Sequence, residues 1–228
     1  MPYNPRDYYY QQAKKENYAA RSVFKLQEIE KRFRIFFPGM IVLDLGAAPG
    51  SWSQYAAEKI GKNGKVLGID IQAIKLTIRN ACFITADIRA LDLAQTMAEN
   101  SFRPPFHLVM SDMAPKTTGN KLQDQMRSLE LCEIALEASD RFLCKNGHFI
   151  CKMFHSEEFE SFRQKCRDRF KKVELIRPKS TRKESKEIFF VCTGHLHEPR
   201  EGGKKSADSA APTEDSSVVV TATSDVTS

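Results

Sequence analysis

Two amines and two carboxylates of this sequence lie in or beside apolar segments, where a charge is costly unless it is paired or used. Lys152 lies inside the run HFICKMF, and Asp112 follows the run FHLVMS and opens the turn DMAP. Glu187 precedes IFFVC, and Lys25 lies on a segment with the apolar spacing of an amphipathic helix. Such groups either form structural ion pairs or orient and deprotonate a reacting group.

A ligand site is indicated by the segment 41–52, IVLDLGAAPGSW, which is typical of a strand, a tight turn and the start of a helix. Gly46 and Gly50 would let the backbone approach a ligand closely. Asp70 ends the next apolar run, KVLGID, where nucleotide-binding α/β folds place a carboxylate that binds ribose hydroxyls. Because GAAPG lacks the dinucleotide pattern GxGxxG, the sequence predicts a nucleoside without a pyrophosphate, unless the glycines only form a turn.

The segments that would position these residues alternate between strand and helix. Strands are predicted at 41–46, 65–70, 82–86, 106–111, 148–153, 172–177 and 187–193. Helices are predicted at about 19–33, 51–60, 90–99, 123–143 and 157–170, with a short helix or turn near 72–79. The last two strands have no helix between them and should form a hairpin. We therefore expect an α/β fold with a seven-stranded, mostly parallel sheet, one antiparallel strand, and helices on both faces.

The chain of 228 residues has room for one well-packed domain, which we place at 19–195. An N-terminal arm at 1–18 combines tyrosines with lysines and arginines, so it would either contact RNA or pack on the fold. Residues 196–228 contain few large apolar side chains and are predicted to be a disordered tail.

Charge is unevenly distributed along the chain. The net charge is +6, and the residues from Leu196 onward contribute six acidic and three basic side chains, so residues 1–195 carry +9. A basic body favours a polyanionic partner such as nucleic acid, although a basic surface can also serve solubility alone.

Other site classes are disfavoured by composition. The six cysteines form no CxxC pair and are expected to be buried thiols in a reducing compartment. His195 and His197 have no second cluster of ligands nearby in the sequence, so we expect no metal. No apolar run approaches the roughly 20 residues that span a bilayer. We expect a cytoplasmic monomer.

Five motifs together resemble the FtsJ family of ribose 2′-O-methyltransferases. They are RSVFKL at 21–26, DLGAAPG at 44–50, SDMAP at 111–115, CKMF at 151–154 and SKEIFF at 185–190. The resemblance implies a Rossmann-like fold and the cofactor S-adenosylmethionine. It places the family's catalytic tetrad on Lys25, Asp112, Lys152 and Glu187. It places the cofactor-binding residues on Gly50, Trp52, Asp70, Asp87 and Asp112.

One position departs from the family pattern. Ser51 stands where the family commonly has a second glycine, which adds a small side chain beside the methionine end of the cofactor pocket. Within the tetrad, Lys152 could take the proton of the 2′-hydroxyl or, as an ammonium, orient the oxygen, because free lysine is mostly protonated at neutral pH.

The resemblance implies a uridine of 23S ribosomal RNA, presented within the large ribosomal subunit, as the substrate. Basic residues that precede the last strand would contact a large RNA or form a solvated loop; these are Lys179, Arg182, Lys183 and Lys186. Methylation of transfer RNA is an alternative, since close relatives act on it. A non-catalytic RNA-binding factor for ribosome assembly is the alternative from another class.

Overall fold

The computed structural model describes residues 8–182 and 185–199. Its strands are β1 Ile41–Leu45, β2 Lys65–Asp70, β3 Ala81–Thr85, β4 Phe106–Ser111, β5 Leu143–Phe154, β6 Phe170–Ile176 and β7 Glu187–His195. Its helices are α1 Tyr8–Lys15, α2 Val23–Phe33, α3 Ser51–Ile60, α4 Leu93–Glu99, α5 Lys121–Phe142 and α6 Phe159–Arg167.

The strands form one seven-stranded sheet in the order β3-β2-β1-β4-β5-β7-β6. The pairs β1–β2, β2–β3, β1–β4 and β4–β5 are parallel, whereas β7 is antiparallel to both β5 and β6. The predicted seven-stranded sheet with a terminal hairpin and one antiparallel strand is therefore confirmed. The chain order reverses between β1 and β4, which opens a crevice at the carboxyl ends of these strands.

Both faces of the sheet are buried under helices. In β1, Val42 packs into one hydrophobic cluster with residues of α2 and α3, while Leu43 and Leu45 pack into a second cluster with residues of α4, α5 and α6. This burial explains why the central strands are almost continuously apolar in sequence, as is typical of parallel sheets. The prediction of helices on both faces is confirmed.

The segment 72–79 forms no helix. Ile74, Leu76 and Ile78 are partly buried, and the residues between them are exposed. This alternation has the period of an extended chain rather than of a helix, because successive side chains of an extended chain point to opposite sides. The helix predicted at 90–99 begins later, at Leu93, where the side chain of Asp92 caps it by accepting a hydrogen bond from the Gln95 amide.

The described part of the N-terminal arm packs on the fold. Ala13 of α1 is buried, and the ring of Tyr9 lies 5.4 Å from the ring of Phe24 in α2. Residues 1–7 of the predicted arm 1–18, and residues 200–228 of the predicted disordered tail 196–228, fall outside the described residues.

All six cysteines are free thiols. Burial raises the pKa of the Cys151 and Cys192 thiols well above the usual value, so these groups are neutral. Within the described ranges, no group of three or more histidine, cysteine, aspartate or glutamate side chains could hold a metal ion. No described helix has the length and apolar character to cross a membrane.

Candidate active site

Lys152 and Asp112 meet where β4 ends beside β5. Ser111 pairs with Cys151 across these strands, so the next residue on each strand is brought together. Nζ of Lys152 lies 2.8 Å from Oδ1 of Asp112 and donates a hydrogen bond to the main-chain oxygen of Asp112 at 2.6 Å. Only 7% of the Lys152 side chain is exposed. The carboxylate and the carbonyl together offset the cost of burying the ammonium.

Lys25 and Glu187 form the second ion pair of the site. Nζ of Lys25, in the first turn of α2, contacts Oε1 of Glu187, and both side chains are largely buried. The same ammonium lies 5.7 Å from the ring centre of Phe189. Lys25 of α2 is therefore held against β7 by both the ion pair and a favourable cation–π contact.

Strand register connects the two ion pairs. Lys152 lies opposite Phe189, and Phe154 lies opposite Glu187, in the antiparallel pair of β5 and β7. Directly opposed residues and residues two apart share a face of a sheet, so Lys152 and Glu187 are diagonal neighbours on one face. The structure thus brings the four predicted tetrad residues to one end of the sheet.

The predicted nucleoside loop is tied to Asp70. Oδ2 of Asp70 accepts a hydrogen bond from the amide of Ala48 at 2.9 Å, and Oδ1 accepts one from the amide of Gln72 at 2.8 Å. Gly46, at the start of the loop, has φ +76°, and a Cβ there would lie 2.7 Å from the side chain of Met113. Only glycine fits this position, because both the dihedral angle and the space exclude a side chain.

A cavity of about 480 Å³ lies beyond the carboxyl ends of β1 to β4. Three of the predicted cofactor-binding carboxylates, Asp70, Asp87 and Asp112, line it together with Gly46. Oδ1 of Asp112 is buried and accepts no aligned hydrogen bond from the described residues. The carboxylates suit a ligand that has ribose hydroxyls, an amine and a positive centre, and S-adenosylmethionine has these groups. The residues present therefore fit this cofactor.

Asp87 forms an ion pair with Arg89 that the sequence analysis did not predict. Nε of Arg89 lies 2.9 Å and 3.1 Å from the two carboxylate oxygens, and one terminal nitrogen lies 2.6 Å from Oδ2. The side-chain and main-chain hydrogen bonds from Arg89 lower the pKa of Asp87 to about 2. Asp87 is thus held as a carboxylate at the cavity. In the sequence, this contact is indicated by the segment DIR at 87–89, which places the arginine two residues after the aspartate.

Gly50 and Trp52 do not line this cavity. Gly50 caps α3 with φ +109°, and Leu76 would lie 2.5 Å from a Cβ added there. The Trp52 ring packs 5.7 Å from the Phe189 ring, and its indole N–H donates to the main-chain oxygen of Ser22 at 2.9 Å. The tryptophan side chain therefore joins α3 to the tetrad elements, and its role in cofactor binding stays a prediction.

Ser51 points away from the cavity as well. Its side chain is buried, and its hydroxyl lies 2.9 Å from the hydroxyl of Ser22, just before α2. The hydroxyl thus bonds to the segment that leads into the helix of Lys25, so the departure from the family's glycine places no hydroxyl in this cavity.

A second cavity, of about 520 Å³, lies on the other side of the tetrad. Lys25 and Glu187 line it, whereas Asp112 lines the first cavity, so the tetrad stands between the two. The second cavity is bordered by further basic side chains from the segment before α2, the start of α5 and the segment before β7; these are Arg21, Lys121, Arg182 and Lys186. Cations around an open cavity suit a phosphate-bearing substrate.

Comparison with known proteins gives concordant results. A profile of the FtsJ-like methyltransferase family matches residues 18–195. A protein of Bdellovibrio bacteriovorus named Ribosomal RNA large subunit methyltransferase E is 57% identical over 191 residues, which cover 84% of this chain and 97% of that protein. A protein of the same name from Nitratidesulfovibrio vulgaris is 49% identical over 193 residues, which cover 83% and 93%.

A solved structure agrees with these sequence matches. A crystal structure from Plasmodium falciparum, described as that of a putative ribosomal RNA methyltransferase, matches with a TM-score of 0.70 and 27% identity. The match covers 78% of this chain and 99% of that chain. The similarity in fold and the similarity in sequence thus indicate the same protein family.

Asp44, the fourth of the five residues of β1, is a weaker acid than an ordinary aspartate. Its carboxyl is fully buried and accepts a hydrogen bond from the Ser53 hydroxyl at 2.6 Å. Burial, assisted by the charges of Asp112 and Asp70, raises the pKa of Asp44 to about 7, although the Ser53 hydrogen bond acts in the opposite direction. The unfolded carboxyl releases its proton near pH 4, whereas the folded one keeps it up to neutral pH.

We predict that Asp44 lowers the free energy of unfolding as the pH rises from about 4 to about 7. The folded state binds the extra proton in this window, so the free energy of unfolding falls by up to about 4 kcal/mol from this site. Urea unfolding at pH 4.5 and 7.5 should show Asp44→Asn gaining stability relative to the parent as the pH rises. Asp168→Asn, at an exposed site, is the control. An Asp44→Asn difference that does not change with pH would contradict the assignment.

Proposed function

The chain belongs to the FtsJ-like methyltransferase family, and on that premise we propose that it transfers a methyl group from S-adenosylmethionine to a ribose 2′-hydroxyl of RNA. We propose a uridine of 23S ribosomal RNA in the large subunit as the target. The names of the related proteins support ribosomal RNA over transfer RNA. The observation that carries the proposal is the position of the tetrad between a cavity lined by Asp70, Asp87 and Asp112 and a second cavity with a basic border.

The first cavity is the proposed cofactor site. Asp70 would bind the ribose hydroxyls, Asp87 the adenine amine, and Asp112 the positively charged methionine end. The cofactor supplies an electrophilic methyl group when it is bound. The main task of the protein is to align an oxygen with that methyl group, and alignment alone can lower a barrier by several kcal/mol.

Lys152 is the proposed group that acts on the 2′-hydroxyl. The hydroxyl must lose its proton as its oxygen forms the new bond to carbon, and we assign that proton to the neutral amine of Lys152, which forms when the resting ammonium first releases a proton to solvent. The Asp112 carboxylate, 2.8 Å away, would stabilise the ammonium that results. The contact between Lys152 and Asp112 also keeps Nζ beside the proposed cofactor cavity, where the two reactants have to meet.

Lys25 and Glu187 are proposed to hold the ribose from the other side. Their ion pair lines the second cavity, so an ammonium donor and a carboxylate acceptor both face the entering strand. This pairing supports catalysis over a purely RNA-binding role, because a binding module has no need for a lysine buried at the end of an apolar strand.

Replacement of Lys152 tests the reaction most simply. Lys152→Ala should lower methyl transfer to large ribosomal subunits by about 100-fold or more, the usual range for general acid–base catalysis. Lys152→Arg should be equally impaired, because a guanidinium keeps the charge but cannot accept a proton. Thermal stabilisation by S-adenosylmethionine should persist in both variants. Full activity of Lys152→Ala would refute the catalytic assignment, and activity of Lys152→Arg would favour orientation by a cation.

Asp70→Asn tests the cofactor assignment. Loss of charge-assisted hydrogen bonds to the ribose hydroxyls should weaken S-adenosylmethionine binding by about 10- to 100-fold. Isothermal titration calorimetry measures the dissociation constant. Asp168→Asn serves again as the matched exposed control, and an unchanged constant for Asp70→Asn would count against its ribose role.

The basic border of the second cavity should govern the salt dependence of RNA binding. Lys121 and Lys186 are exposed there, and their joint replacement by glutamine should reduce the slope of log K against log salt by about 1.4, or about 0.7 for each phosphate that is no longer neutralised. Lys62→Gln with Lys172→Gln, at exposed positions outside the cavity, is the matched control. Equal slopes for the two double variants would exclude this cavity as the RNA site.

A further inference from the structure

The side chain of His155 is exposed at the second cavity, and one face of its ring is already covered. The His155 and Phe159 rings are stacked, with centroids 5.4 Å apart and an interplanar angle of 7°. Phe159 is itself anchored in the core, where its ring centre lies 5.0 Å from that of Phe190. The core therefore fixes the plane of the imidazole, and the exposed side chain leaves the opposite face open to a ligand.

The backbone of His155 is held on both sides. Its amide donates a hydrogen bond to the main-chain oxygen of Lys186 at 3.0 Å, and its carbonyl accepts one from Nε2 of Gln125 at 2.5 Å. These contacts join the end of β5 to the segment before β7 and to α5. A ring positioned in this way loses little conformational freedom when a ligand binds.

The location of this ring suits a nucleotide near the reacting ribose. His155 follows Lys152 by three residues at the end of an extended strand, which spans about 10 Å. The same cavity is lined by Lys25 and Glu187 of the tetrad and by the exposed ammonium groups of Lys121 and Lys186. Proteins commonly bind unstacked RNA bases on aromatic rings and the adjoining phosphates with nearby cations.

We propose that His155, supported by Phe159, is a stacking platform for a nucleobase within one nucleotide of the ribose that is methylated. The proposal rests on the proposed function, which identifies the ligand as RNA. Every base has an aromatic face, so this platform contributes affinity and position and does not select the base.

Kinetics on the full-length protein test the platform. His155→Ala should raise KM for the RNA substrate by about 5- to 150-fold, the range for loss of one stacked base, with kcat and the affinity for S-adenosylmethionine nearly unchanged. His155→Phe should restore KM because it retains an aromatic face. His197→Ala, at an exposed histidine outside this cavity, is the control. An unchanged KM for His155→Ala, or a His155→Phe variant as impaired as His155→Ala, would overturn the proposal.

A measurement without turnover separates this proposal from the proposed function. A single-stranded RNA oligonucleotide containing 2-aminopurine should lose fluorescence when it stacks on the wild-type protein, and His155→Ala should abolish that quenching. Quenching that depends on His155, in a protein that transfers no methyl group, would support the platform and refute the methyltransferase proposal. Methyl transfer combined with quenching that is equal in wild type and His155→Ala would refute the platform and support the methyltransferase proposal.

Discussion

The site depends on one buried ion pair, that of Lys152 with Asp112. An ammonium with 7% exposure at the end of an apolar strand is unfavourable unless acceptors surround it, and Asp112 supplies both its carboxylate and its main-chain oxygen. Asp112 is fixed in turn, because its amide donates to the main-chain oxygen of Leu45 at 3.2 Å. The adjacency of β1, β4 and β5 therefore determines where the reacting amine lies.

The same adjacency connects the two cavities. Asp112 lines the first cavity, while Lys25 and Glu187 line the second. Phe189 lies opposite Lys152 and beside the Lys25 ammonium. A donor held in one cavity and a polyanion held in the other would meet at these side chains. The order of strands at the reversal between β1 and β4 thus converts residues distant in sequence into a single candidate site.

Much of this arrangement could be predicted from sequence because it depends on local patterns. Apolar runs located the strands, and Asp70 at the end of β2 indicated a nucleoside site. The structure places Asp70 at a cavity, and its role in binding a nucleoside stays a prediction. The family motifs predicted that Lys25 and Glu187 lie close together. No spacing rule could have predicted this, because the two residues are far apart in the chain. The structure places all four tetrad residues together, and their catalytic roles stay predictions.

Side-chain contacts beyond the local pattern were not predictable. Of the short helix or turn predicted near 72–79, the helix does not form, because Ile74, Leu76 and Ile78 alternate with exposed residues in an extended segment. The indole of Trp52 lies in the core rather than in the proposed cofactor cavity, and the ring of His155 stacks on a helix that begins four residues later. Such partners come from three-dimensional packing, which composition and periodicity do not record.

The most direct test of the account is the chemical position of the transferred methyl group. Large ribosomal subunits incubated with the protein and methyl-labelled S-adenosylmethionine can be digested and their nucleosides identified by mass spectrometry. The account predicts one labelled 2′-O-methyluridine in the 23S ribosomal RNA. A label on a base atom, or no label in the RNA at all, would contradict a tetrad that presents a ribose oxygen to the donor.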